Sequence, residues 1–142
     1  PSIGILFITE RFYMPNKKIA EEWLELARHN LDAARILFRE KHFNDVIGIE
    51  LHQSIEKCLK AIPVFHGRSV LKTHDLIVLL SNAEEYLRFR EDIRYSLESA
   101  TDYYVENRYP GGGFKSMPSD KEIRELIEVA EYIYDFVKKY FN

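Results

Sequence analysis

The sequence predicts an all-α fold, an antiparallel up-and-down bundle of about five helices with a short N-terminal extended arm. In five separate segments, apolar residues recur at steps of three and four, the spacing of one face of a helix. Beyond the N-terminal arm, no segment alternates between apolar and polar residues over the length of a strand. The connections between successive helices are short, which favours antiparallel neighbours.

Composition describes one soluble globular domain. The 142 residues are 46% hydrophobic and 30% charged, which suits a packed core and not a disordered chain. The net charge of −3 argues against a protein that coats nucleic acid through many phosphate contacts, but it permits a local basic site. The single cysteine, Cys58, cannot form an internal disulfide and fits a reducing compartment, so we expect a cytoplasmic location.

The first sixteen residues are expected to lie outside the helical bundle. We expect residues 1–16 to form an extended or disordered arm, and residues 17–142 to form the helical-bundle domain. The apolar run Ile3–Ile8 is rich in β-branched residues, which favour extended backbone. It is far shorter than the ~20 residues needed to cross a bilayer and lacks the features of a secretory signal. No membrane partner is therefore expected.

The first two helices are predicted from about Lys17 to Lys41 and from about Asn44 to Ile62. Asn16 can cap the first helix, and Pro63 closes or kinks the second. The predicted apolar stripe of the first helix is Ile19, Trp23, Leu26, Ala27, Asn30, Ala33, Ala34 and Leu37. The predicted core face of the second is Ile47, Leu51, Ile55, Cys58, Leu59 and Ile62, with a separate polar row of Glu50, Gln53, Lys57 and Lys60.

Three further helices follow. The third begins at His74-Asp75-Leu76, and the fourth runs from about Glu91 to Arg108, where Pro110 and three glycines end it. The fifth follows a capping sequence at Ser119–Glu122 and reaches Tyr140. Its apolar arc is wider than one core contact needs, which predicts a symmetric homodimer formed by the fifth and first helices. The alternative is a central helix within a monomer.

Strict alternation of five helices would bring the C-terminal ends of the second and fourth helices to one end of the bundle. The two loops at those ends, residues 60–74 and 107–117, contain basic residues and no acid. The sequence therefore predicts a basic pole that binds a nucleotide or RNA phosphate. Its predicted contacts are Lys57, Lys60, His74, Arg108 and Tyr109. Alternatively, the cations only stabilise helix C-termini.

Other kinds of site have little support. None of the five histidines follows a glutamate by three residues, the spacing used in di-iron bundles. No nucleophile motif or phosphate-binding Gly-x-x-x-x-Gly-Lys is present, and no strand precedes Gly111–Gly113. We therefore predict no cofactor, no metal site and no catalytic residue.

Four features in a consistent order resemble the HEPN family, the higher eukaryotes and prokaryotes nucleotide-binding domain. They cover about residues 18–140 and consist of Trp23…Ala27…Leu31…Ala33-Ala34, Gln53–Ala61, His74-Asp75-Leu76 and Tyr104…Arg108-Tyr109-Pro110. The resemblance implies an antiparallel and usually dimeric bundle. It also implies prokaryotic relatives paired with a minimal nucleotidyltransferase in a toxin–antitoxin or related two-component module.

The resemblance does not extend to the ribonuclease branch of the family. That branch uses an Arg followed four to six residues later by a His, from both subunits of a dimer. Arg108 matches the Arg, but positions 112 to 115 are Gly-Gly-Phe-Lys and no His follows. Without an imidazole to transfer protons, metal-independent cleavage of RNA lacks its acid/base.

The sequence thus predicts a nucleotide- or RNA-binding module that acts with a nucleotidyltransferase partner, without enzymatic activity of its own. His74 is expected to brace the loop before the third helix. One alternative is a purely structural, dimeric interaction protein with no ligand site. A second is an atypical ribonuclease that uses His74 as a substitute base.

Overall fold

The computed structural model describes the backbone of residues 2–107 and 117–142, and the side chains of residues 16–101 and 117–142. It contains five α-helices: α1 (Ser2–Arg39), α2 (Asn44–Phe65), α3 (Leu76–Ala83), α4 (Asp92–Asn107) and α5 (Asp120–Phe141). No strand occurs in these two ranges. The predicted all-α bundle is confirmed. No helix in the described part is long and apolar enough to cross a membrane.

The centre of the bundle is α2, which packs against each of the other four helices. A helix surrounded in this way must be apolar on most of its circumference. Accordingly, α2 buries fourteen residues, four of which are polar or charged. Those four are His52, Ser54, Glu56 and Lys60.

Contacts between side chains fix the direction of the helices next to α5. At the start of α2, Asn44 Nδ2 donates to Asp120 Oδ1 at 2.8 Å, and beyond its end His66 packs beside Tyr140. Helices α2 and α5 are therefore parallel. At the start of α4, the Arg90 amide donates to Tyr132 Oη at 3.2 Å, whereas Ser99 shares a groove with Glu122. Helix α4 is therefore antiparallel to both.

This arrangement corrects the prediction that α2 and α4 end at the same pole. Eight residues of α3 extend only about 12 Å, against about 33 Å for the twenty-two residues of α2. Because α3 is too short to cross the bundle, it forms part of the connection between α2 and α4. The up-and-down alternation therefore applies to α1, α2, α4 and α5. The C-terminal ends of α2 and α4 consequently lie at opposite ends of the bundle.

The N-terminal segment also differs from the expectation. Helix α1 begins at Ser2, so the backbone of residues 2–16 is helical where we expected an extended or disordered arm. Intrinsic preferences of β-branched residues against helix amount to less than about 1 kcal/mol each, which continuation of an adjoining helix can offset. The boundary at residue 17 is therefore not marked by a change of secondary structure.

The buried stripe of α1 is displaced from the predicted one. Its fully or nearly fully buried members are Ala20, Leu24, Ala27, Leu31 and Ala34. Alanines seven residues apart allow α1 to approach α2 closely, and Ser54 Oγ donates to the Ala27 carbonyl at 2.8 Å. The larger side chains predicted for the core, Ile19 and Leu26, are thereby moved to the exposed edge.

The wide apolar arc of α5 is used within the chain. Its buried residues are Ile123, Leu126, Val129, Ala130, Ile133, Val137 and Phe141, and further aromatic residues pack against the core. Among described side chains, the large hydrophobic residues that remain exposed lie on α1, α2, α3 and α4 and in the α1–α2 connection, but not on α5. The apolar arc of α5 is thus accounted for by packing within one subunit, as in the alternative interpretation. A homodimer remains a prediction.

Candidate functional site

Glu56 joins the polar side chains at the C-terminal half of α2. Its Oε2 accepts a hydrogen bond from Lys60 Nζ at 2.9 Å, and its Oε1 lies 3.0 Å from His74 Nδ1. His52 Nδ1 lies 3.7 Å from the same Oε1. We call His52, Glu56, Lys60 and His74 the Glu56 cluster. The three α2 members are four residues apart, which places them along one side of the helix.

His74 enters the cluster because the loop before α3 is tightly fixed. Asp75 caps α3 by accepting hydrogen bonds from the amides of Ile77 and Val78, at 2.9 and 3.3 Å. The amide of Asp75 donates in turn to Thr73 Oγ1 at 3.1 Å. The carboxylate of Glu56 therefore fastens a capped helix start to α2, as expected for a histidine that braces the loop.

Burial dominates the electrostatics of the Glu56 cluster. The side chains of Lys60 and Glu56 are only 9% and 11% exposed, and each offsets the charge of the other. Burial lowers the pKa of His52 to about 4, and the nearby Glu56 carboxylate only partly opposes this change. At neutral pH the His52 imidazole is uncharged.

A second polar network lies on the outer side of α2. Lys57 Nζ donates to Asn30 Oδ1 at 2.7 Å, and Asn30 Nδ2 donates to Glu50 Oε2 at 2.8 Å. Asn30 thus connects an ammonium and a carboxylate that lie two helical turns apart on α2. The side-chain amide of Asn30 therefore joins α1 to α2.

The structure places the predicted phosphate contacts as follows. Lys60 and His74 lie close to each other because both bind the carboxylate of Glu56. Lys57 instead donates to Asn30 in the second network. Both lysines already have a hydrogen-bond partner in the chain. Arg108 and Tyr109 lie outside the described residues.

Sequence reasoning missed the central role of Glu56 and the burial of His52. The spacing of residues 52, 56 and 60 is visible in the sequence and places the three on one side of α2. Spacing alone shows that residues share a helix side. It does not show which neighbouring element covers that side.

The opposite end of the bundle is where α4 ends. There the first residues of α2 and α5 lie side by side, since Asn44 Nδ2 also donates to the Pro118 carbonyl at 2.9 Å. Ser119 caps α5 in the predicted capping box, with both reciprocal bonds to Glu122 at 3.1 Å. The residue before α2 is Phe43, whose side chain provides no cap.

Metal and thiol chemistry have no support in the described residues. No group of three or more His, Cys, Asp or Glu side chains among them could hold a metal ion. Cys58 is buried, and burial raises the pKa of its thiol, which keeps it protonated and unreactive.

Comparison with known proteins places the chain in a family. The family model described as the HEPN domain matches residues 20–140, most of the chain. The chain belongs to the HEPN family. The match includes the second-helix segment Gln53–Ala61 and the His74-Asp75-Leu76 motif, so the Glu56 cluster lies within the HEPN domain.

Relatives support this assignment in sequence and in fold. A Methanocaldococcus jannaschii protein named "Putative toxin MJ1304" is 24% identical over 144 residues, covering 89% of this chain and 93% of the relative. The crystal structure of TT1696 from Thermus thermophilus is similar, with a TM-score of 0.74 and 27% identity, covering 84% of this chain and 96% of that chain. ST0689, an archaeal HEPN homologue, matches in fold with a TM-score of 0.68 and 20% identity, covering 87% and 98% of the two chains.

Proposed function

We propose that this HEPN chain is the helical component of a two-component, toxin–antitoxin-like system and binds a nucleotide or RNA phosphate at the end of α4. Arg108 would contact the phosphate, and Tyr109 would stack on a base or position the ligand. Arg108 directly follows Asn107, the last residue of α4. A guanidinium forms two parallel hydrogen bonds with a phosphate, which suits this task.

The observation that carries this proposal is the pairing of the helix starts at that end. The hydrogen bond between Asn44 and Asp120 holds the N-termini of α2 and α5 together, and α4 runs toward them. Helix N-termini carry partial positive charge and attract anions. Ser119 already caps the start of α5, so the amides that a ligand would meet are those at the start of α2. Phe43 supplies no side-chain acceptor to the first amides of α2.

The predicted contacts on α2 take a different role in this proposal. Phosphate binding by Lys60 would require breaking its buried pair with Glu56, which leaves a carboxylate without its main counter-charge. Lys60 and His74 therefore act first to position the loop before α3. Lys57 likewise donates a hydrogen bond to Asn30, and its ammonium group is positioned by that bond.

Replacement of the guanidinium tests the proposal. We expect Arg108→Ala to weaken binding of a nucleotide or a short single-stranded RNA by roughly tenfold or more, because a charge-assisted hydrogen bond contributes roughly 1.5–3 kcal/mol. Fluorescence polarisation with labelled RNA and calorimetry with a panel of nucleotides would measure the change. Arg68→Ala, at the opposite end of the bundle, is the matched control. Equal affinity of wild type and a folded Arg108→Ala variant would exclude this site.

The two-component assignment concerns a protein partner. The Methanocaldococcus relative bears the name of a toxin, and HEPN relatives are commonly paired with a minimal nucleotidyltransferase, so we propose that partner here. Co-expression of this chain with a minimal nucleotidyltransferase from the same genome should give a complex that co-elutes from a sizing column. Separate elution of the two folded proteins would contradict the assignment.

A second candidate function is that of an interaction protein without a ligand. The exposure of Ile19, Leu26 and Val46, all large apolar residues, favours it. Thermal unfolding separates the two candidates, because a ligand that binds only the folded state raises its melting temperature. A melting temperature that no nucleotide changes, together with partner binding, would favour the interaction protein.

A further inference from the structure

A groove of about 450 Å³ lies between α5 and the connection from α3 to α4. We call it the aromatic groove, because three of the residues that line it carry rings. One lining residue comes from that connection and five come from α5: Leu87, Tyr132, Asp135, Phe136, Lys139 and Tyr140. A concave site of this volume, mostly apolar with a few polar groups, is typical of small-molecule binding.

The first two rings of the aromatic groove are fixed by the connection between α3 and α4. The guanidinium carbon of Arg90 lies 4.1 Å from the centre of the Tyr132 ring, and the Arg90 amide donates to Tyr132 Oη at 3.2 Å. The Phe136 ring packs against the buried Phe89, with 5.4 Å between ring centres. Because both rings are already held, a ligand loses less free energy to ordering them.

The third ring is fixed from the end of α2. Tyr140 Oη lies 2.5 Å from His66 Nε2, and the His66 imidazole stacks on Tyr86 with 4.1 Å between ring centres. Phe65 packs against the Tyr140 ring at 5.7 Å, again between ring centres. The aromatic groove is therefore a formed site, whose rings belong to α5 and whose supports belong to other elements.

Two opposite charges stand at the edge of the aromatic groove. Asp135 and Lys139 are exposed and four residues apart on α5, so they lie on one side of that helix, about 5 Å apart along its axis. Such a pair can form a salt bridge, but the ion pairs among the described side chains include neither residue. The carboxylate and the ammonium group are thus both available to a ligand.

These two charges restrict the class of ligand. An organic cation would suit the rings and Asp135, but Lys139 would repel it. An organic anion would suit Lys139, but Asp135 would repel it. A ligand with an ammonium and a carboxylate group side by side satisfies both residues, and an aromatic side chain on that ligand can pack edge-to-face or offset against the rings.

We infer that the aromatic groove binds a free α-amino acid with an aromatic side chain. Asp135 accepts hydrogen bonds from the α-ammonium group, and Lys139 donates to the α-carboxylate. Leu87 and the three rings enclose the side chain. The aromatic groove lies near the C-terminal end of α5, whereas the proposed nucleotide site lies at the N-terminal end of that helix. The two sites are therefore independent and can be tested separately.

Four ligands separate the contributions to binding. Phenylalanine carries both charges and a ring, phenethylamine lacks the carboxylate, 3-phenylpropionate lacks the ammonium group, and alanine lacks the ring. Titration of the ¹⁵N-labelled full chain, followed by NMR at the amides of Leu87 and residues 132–140, measures each affinity. We expect phenylalanine to bind more tightly than either singly charged ligand by roughly threefold or more, the size expected for an exposed ion pair. Alanine is expected to give no saturable shifts.

Charge-neutral variants assign each group of the ligand to its residue. Asp135→Asn should weaken binding of phenylalanine and phenethylamine but not of 3-phenylpropionate. Lys139→Met should weaken binding of phenylalanine and 3-phenylpropionate but not of phenethylamine. Both residues are exposed, so the fold should be kept. Lys18→Met and Glu22→Gln, an exposed pair with the same spacing on α1, are the matched controls and should leave every affinity unchanged.

The titrations can contradict the inference in three ways. The absence of saturable shifts with phenylalanine would exclude the site. Phenethylamine or 3-phenylpropionate binding as tightly as phenylalanine would show a ligand of one charge and overturn the amino-acid assignment. Equal losses of affinity in the α1 controls and in the Asp135 and Lys139 variants would show a non-specific effect of charge.

Discussion

At the scale of single residues, the most consequential finding is that Glu56 connects two elements. Its carboxylate bonds Lys60 on its own helix and His74 on the loop before α3. The sequence predicted a bracing role for His74, and residues 56 and 60 are spaced to share one side of α2. It could not predict that the two share one buried carboxylate, since that depends on how the loop folds back over α2.

Protonation of His52 is expected to make the stability of the fold depend on pH. Its pKa is about 4 in the folded protein, below the ordinary value of 6.5, because burial disfavours the imidazolium. The unfolded chain therefore binds a proton at a higher pH than the folded chain does. Stability from the neutral imidazole is fully present above pH 6.5 and decreases as the pH falls toward about 4, by roughly 1.4 kcal/mol per pH unit.

Urea unfolding of the wild type and His52→Asn between pH 4.5 and 8 measures this effect. The variant is expected to be less stable throughout, but with a smaller loss of stability between pH 6.5 and 4.5. The comparison uses the slope and not the absolute value, so lost packing does not affect it. Parallel pH profiles for the two proteins would show that His52 protonation does not control acid stability.

At the scale of elements, the sequence correctly predicted five helices, but it wrongly predicted the direction of α4 relative to α2. The five helices and the capping box of α5 were visible in the periodicity and in Ser119–Glu122. Whether α3 crosses the bundle depends on its length, and a helix of eight residues is too short to do so. The register of α1 was displaced because close packing selects alanine over the larger residues of the same stripe.

The direction of α4 can be measured with pairs of spin labels in a Cys58→Ser background. A label at Asn107 should lie roughly 20 Å or less from one at Asp45, but roughly 30 Å or more from one at Arg68, given the rise of the helices. Dilution with unlabelled protein removes distances between copies. A shorter distance from Asn107 to Arg68 than to Asp45 would restore the parallel arrangement that the sequence had suggested.

At the scale of the whole molecule, the fold was predictable because every element shows a strong helical pattern. The position of a functional site was less predictable, because it depends on which loops share an end of the bundle. One short helix decides that question for residues 66–75 and for the residues that follow α4. The exposure of Ile19 and Leu26 was hidden from the sequence for a related reason. Their spacing is that of core residues, and only the packing of α1 on α2 shows which side of α1 stays uncovered.

The shortness of α3 also affects how the chain can tolerate change. Because the connection after α2 and the connection after α4 leave the bundle at opposite poles, added length in one cannot crowd the other within a subunit. Each connection can therefore be lengthened, shortened or replaced as a separate unit. An engineer could graft a peptide into one pole and leave the chemistry of the other untouched.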